Sequence, residues 1–237
     1  MNNLQKWGGI AALGHAAAYL VGLVLGLILM FPLLNAATEQ YLEFLAGNQA
    51  LVYLWNLISY WGSAVTLVIM VLALYERLKG RSPALMQTAT AFGLIWAGLI
   101  IASGNLMLRN IGVVAALYGN DPAQAATAWT ALEAVETGIA SGNELVGSLW
   151  VLLLSAAALR TGGLPRALNY LGLVLGVAGI LTIIPALAET TIMIFGPGMI
   201  VWSVWAGIIL LRGSRVAATQ QADTYVTGLG TTTLSNY

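Results

Sequence analysis

Glu76-Arg77-Leu78-Lys79-Gly80-Arg81 is a six-residue polar interruption between two apolar runs. Gly47–Tyr75 precedes it and Ser82–Leu108 follows, both without a Lys, Arg, Asp or Glu. Each run exceeds the roughly 20 apolar residues that cross about 30 Å of hydrocarbon. Three cations in so short a connection mark it as cytoplasmic, because short loops rich in Lys and Arg stay inside. Working outward, the polar segments alternate in charge. The basic set is Lys6, then Arg77, Lys79 and Arg81, then Arg160 and Arg166, then Arg212 and Arg215. The acidic set is Glu39 and Glu43, then Asp121, Glu133, Glu136 and Glu144, then Glu189. Arg109 breaks the basic rule, and Glu76 and Asp223 break the acidic one.

The pattern predicts an all-α polytopic membrane bundle of six transmembrane helices, N-in and C-in. The predicted spans are Trp7–Leu34, Gly47–Tyr75, Ser82–Leu108, a fourth ending at Arg160, Ala167–Ala188 and Thr190–Leu211. Between Glu144 and Arg160 lie only 15 uncharged residues, Leu145–Leu159, about 22 Å of helix. The fourth helix is therefore expected to continue outward through Glu144. Pro122, capped by Asp121, suits a helix first turn, and the Ala-rich run 123–140 favours helix. These readings predict an outer helical hairpin extension between spans three and four, in which Arg109 meets Glu133 or Glu136, with an amphipathic helix lying flat on the outer surface as the alternative. Residues 1–212 read as the transmembrane domain and 213–237 as a polar cytoplasmic tail.

Composition excludes several classes. The 237 residues are 59% hydrophobic and 8% charged, against about 25% charged in soluble domains. The net charge is zero, so no nucleic-acid partner is expected. With no cysteine there is no thiolate nucleophile and no Cys-ligated metal. No nucleophile–base pair, HExxH, P-loop or GxGxxG stands in a supporting context, so the expectation is a protein that is not an enzyme, with no metal site. The uncharged run 7–34 is too long for a signal-peptide core and reads as a retained span.

Three features carry the candidate chemistry. His15 is the single histidine and falls inside the first span, where an ionisable group is a functional hypothesis by default: a cofactor or proton site, or a core imidazole held by one hydrogen bond. Glu144, Arg109, Asn105 and Asn143, with Glu133 and Glu136 above them, are expected to cluster where spans three and four leave the membrane, as a ligand site or a helix clamp. Gly196-Pro197-Gly198 interrupts span six and is expected to break or kink the helix. Small residues Gly14, Ala18, Gly22 and Gly26, and Gly172, Gly176 and Gly179, form ridges that let helices approach closely in lipid. Asn56, Ser59, Ser63 and Thr66 form a polar stripe expected to hydrogen-bond between helices. Trp7 and Trp129 suit interfacial positions, while Trp61, Trp96, Trp150, Trp202 and Trp205 fall deeper.

Leu159-Arg-Thr-Gly-Gly-Leu-Pro-Arg-Ala-Leu-Asn-Tyr-Leu-Gly-Leu-Val-Leu-Gly-Val-Ala-Gly-Ile-Leu resembles the fourth loop and fifth span of bacterial six-helix proteins of the domain of unknown function 4386 family. Thr161 and Gly163 stand where that family places Ser and an aromatic residue. The resemblance implies an integral membrane fold in a bacterial inner membrane and brings no activity or cofactor with it. The leading expectation is a non-catalytic accessory or structural subunit, with the lipid bilayer and a protein partner or second copy as its surroundings. A small-molecule or ion carrier built on the Glu/Arg/Asn cluster is the first alternative. A haem- or pigment-binding subunit using His15 is the second.

Overall fold

The computed structural model describes residues 2–30, 33, 36–80 and 82–232, with side chains for residues 3–29, 33, 36–80 and 82–213. Its elements are α1 (Asn2–Met30), α2 (Thr38–Gly47), α3 (Gln49–Asn56), a π-helical segment (Leu57–Gly62), α4 (Ser63–Leu78), α5 (Pro83–Tyr118), α6 (Pro122–Thr161), α7 (Arg166–Leu181) and α8 (Pro185–Thr232). No strand occurs among the described residues. Five stretches are long and apolar enough to cross a membrane: α1, the continuous helix from Gln49 to Leu78, α5, α6 and the first part of α8. Helix α7 is apolar but has 16 residues, about 24 Å.

That length is the main departure from the expected spans. The fifth helix ends at Leu181, not Ala188, and Glu189 lies in the body of α8, not between helices. Pro185 causes the shift, since it lacks a backbone donor and suits a helix first turn. Ahead of it the Gly179, Ile180 and Leu181 carbonyls accept from the Thr182, Ile183 and Ile184 amides and close the chain into a turn. Three other expectations are corrected. The first helix begins at Asn2, not Trp7, and is described to Met30; residues 31, 32 and 34 of the expected span lie outside the described residues. The acidic segment with Glu39 and Glu43, read only as a polar connection between spans, forms α2, which buries Leu42 and Leu45. Gly196-Pro197-Gly198 does not break its helix, because α8 runs through with Pro197 inside. Pro197 is exposed, and a methyl on Gly198 would collide with the Leu175 side chain, so the glycine serves α7–α8 packing. The backbone of α8 continues into the region read as a tail; 233–237 lie outside the described residues.

Other local expectations hold. Asp121 Oδ1 accepts from the Gln124 amide at 3.0 Å and starts α6. Gly162, at φ +70°, ends it in the left-handed conformation that glycine adopts without penalty. Helix α6 passes uninterrupted through Glu144.

Cross-helix contacts sort the charges onto two ends. Gln5 Nε2 donates to the Ala73 carbonyl. Arg77 Nε donates to the Gly163 carbonyl at 2.9 Å, and its guanidinium passes beside Gly213. Lys6, Arg77, Arg160, Arg166 and Arg212 therefore share one end. The misplaced acid Glu76 is neutralised there by Lys79 at 2.7 Å. At the opposite end Leu42, Leu45, Val52, Met107, Ile111, Val114, Ala125 and Trp129 form a second core beyond the main one. Trp129 is thus a core residue, not an interfacial one, whereas Trp7 is exposed.

Candidate functional site

The helices around the π-helical segment meet in a fixed register. From α1, Gly26 faces Trp55, Gly22 faces Ser59, Ala18 faces Gly62 and Gly14 faces Thr66. From α5, Leu108 accepts from the Tyr53 hydroxyl, and Gly104 lies against the Tyr60 ring. Helix α6 joins the same layer through Asn143 Nδ2, which donates to Ser103 Oγ at 3.4 Å. Asn56 to Ser63 spans about 10 Å of helix. Into this layer, or beside it, come His15, Tyr19, Asn56, Tyr60, Ser103, Asn143 and Glu144.

His15 lies 2.9 Å through Nδ1 from the Ser63 carbonyl. A carbonyl only accepts, so the proton sits on Nδ1 and Nε2 is the bare nitrogen. The ring packs 4.8 Å from Tyr19 and edge-on to Trp96 at 5.9 Å. Trp96, Trp150 and Trp202 continue as a buried aromatic column, with centroids 5.7 and 5.4 Å apart.

The expected Glu/Arg/Asn cluster does not assemble as the sequence indicated. Helix α5 buries Ser103, Gly104, Met107, Asn110, Ile111 and Val114, which leaves Asn105 and Arg109 exposed on its other face. No ion pair joins Arg109 to Glu133, Glu136 or Glu144 among the described residues; the one ion pair among them is Lys79–Glu76. Glu133 is exposed and Glu136 half-buried. Both act on Tyr41, whose hydroxyl burial pushes up to about 12, with the two carboxylates adding to the effect. Tyr41 also packs against Trp129 at 5.2 Å. Glu144 is half-buried and faces inward, acting electrostatically on Tyr19 and Tyr60.

The polar stripe also differs from its expected use. Ser63 and Thr66 turn back onto their own helix, bonding the Ser59, Tyr60, Gly62 and Ser63 carbonyls. Asn56 has no exposed surface, yet neither its Oδ1 nor its Nδ2 has a hydrogen-bond partner among the described residues. Ser59 Oγ, Asn110 Nδ2 and Asn143 Oδ1 are likewise buried without one. An amide inside an apolar run was visible at Asn56, but nothing in the sequence marked Tyr19 as packing on His15 or Tyr60 as packing on Gly104. Tyrosine is too common at helix ends and interfaces to stand out.

Apolar helices in this number, with charge apart from Glu144 gathered at the two ends and polar groups inside, define a multi-pass membrane protein. The chain belongs to the family described as Domain of unknown function (DUF4386), whose model matches residues 13–213. No curated protein and no solved structure matches the chain.

Proposed function

We propose that the protein is a non-catalytic inner-membrane binder or carrier of a small polar molecule, held between α1, α3, α5 and α6. The layout we propose has six passes, with α7 as a short fifth, both termini cytoplasmic, and the far ends of α5 and α6 protruding outside as a helical hairpin capped by α2. The observation that supports a binding role is Asn56. A buried polar group with its hydrogen bond unmade costs about 1–3 kcal/mol, and hydrocarbon offers no water to relieve it. A π-helical turn follows directly at Leu57–Gly62, and such turns are frequent at functional sites.

Asn56→Leu tests this reading. It keeps the approximate volume and removes both unmet groups, so it should stabilise the detergent-solubilised chain stripped of small molecules. In native membranes, where the site is filled, it should lower the melting temperature. A rise in both media would reject binding.

The second reading, an accessory subunit, draws on α1. Only 28% of its most apolar stretch is buried, against 39–44% in the other four long helices. Leu20, Val24, Leu27 and Ile28 stand exposed along it, a face available to a protein partner. Native mass spectrometry from membranes should then find a complex; a lone chain would discard the subunit role.

A further inference from the structure

We propose that the molecule held beside Asn56 is a small organic cation of the alkylammonium class, recognised by the Glu144 carboxylate and the rings of Tyr19 and Tyr60. This rests on the binding reading above and adds the sign and shape of what is bound.

Charge supplies the first argument. Glu144 is half-buried on the inward side of α6 and has no ion-pair partner among the described residues. Charged groups inside a membrane persist mainly when paired. Arg109 belongs to the same end of α5 but stands exposed on the face away from the interior. The other described cations lie at the basic end or next to it. The interior layer is thus left with a carboxyl group and no cation of its own to pair with it.

Shape and donor chemistry supply the second. Asn56 is fully buried and shares the inward stripe of its helix with Tyr60 and Ser63, one and two turns on. It offers an unmet carbonyl oxygen, and Asn143 Oδ1 adds another from α6, next to Glu144. Amide oxygens accept hydrogen bonds from an ammonium or lie against its polarised methyl groups. Tyrosine faces attract such cations through their ring quadrupoles. Among the described residues no three His, Cys, Asp or Glu side chains come together to hold a metal ion, and aromatic rings serve an organic cation better than a metal.

The test is thermal unfolding of the full chain in detergent with methylammonium chloride, tetramethylammonium chloride, sodium chloride or acetamide. Either alkylammonium salt should raise the melting temperature by about 5–10 °C at roughly 100 times its dissociation constant. Sodium chloride at equal ionic strength should not. Glu144→Gln, which keeps the shape, should fold and lose the shift. Tyr60→Leu should weaken binding about 2- to 30-fold, and Tyr60→Phe should largely retain it. An equal shift with sodium chloride, a shift that survives in Glu144→Gln, or no shift with either salt overturns the proposal. Protection by acetamide alone overturns the cation but leaves binding in place. Greater stability of Asn56→Leu in native membranes removes the binding reading itself.

Discussion

Two buried polar side chains sit within three helical turns of one another and meet opposite fates. His15 gives its Nδ1 proton to the Ser63 carbonyl and fits its ring between Tyr19 and Trp96, so the protein itself satisfies one nitrogen. Asn56 receives nothing from the chain around it. The single histidine was the conspicuous letter in the sequence, yet the amide is the less settled group. At the far end Tyr41 offers a pH prediction. Its folded value is raised to about 12 from the ordinary 10.0, so folding favours the neutral phenol. That contribution is fully present below the unfolded value and is lost as pH rises through the folded one. Stability should therefore fall between roughly pH 10 and 12. Tyr41→Phe should flatten the decline, measured by tryptophan fluorescence; an unchanged profile would show that Tyr41 does not report on folding.

At the level of elements, glycine decides how closely helices lie. A methyl on Gly147 would sit 2.7 Å from the Trp96 ring, and methyls on Gly172 and Gly179 would overlap Ser155 Oγ and Ser148 Oγ. Gly179→Ala should thus cost about 1–3 kcal/mol through overpacking, despite alanine's better helix propensity. Gly179→Ala combined with Ser148→Ala should recover part of it, since the Phe195 ring still lies 2.9 Å from the new methyl, read as melting temperature in detergent. If the double variant is no better than the single, the contact is not what limits packing. Most of this level was legible in the sequence: the small-residue ridges and the Asp121–Pro122 start. Helix α2 was not, because its Leu42 and Leu45 are too few to show a period in ten residues. The end of α7 was missed because Pro185 sits inside an unbroken apolar run, where hydropathy alone shows no boundary. Arg109 was misassigned for a related reason. Spacing along α5 gives its height but not which face turns inward.

For the molecule as a whole, charge order was the strongest guide, and the contacts of Gln5, Arg77 and Gly213 place the basic residues together. With no native cysteine, single cysteines can report sidedness. Introduced at Glu43 or Asp121 they should react with an impermeant maleimide from outside intact cells; at Lys79 they should react only after lysis. Equal labelling of all three would overturn the six-pass topology. One architectural detail bears on how the chain is made. Gly9 lies against the Gly207 carbonyl and Leu211, while Gly8 abuts Ala73 and Leu210. The opening helix is thereby completed by the closing one. During synthesis α1 leaves the ribosome well before α8 and must wait in the bilayer, part-covered, until α8 arrives. A chain released before α8 leaves that flank of α1 bare to lipid. The same neighbourliness sets Gly9 beside Gly207 and Leu211, so a linker from Gly213 back to Asn3, with the chain opened at Gly119–Asp121, should still give a closed bundle.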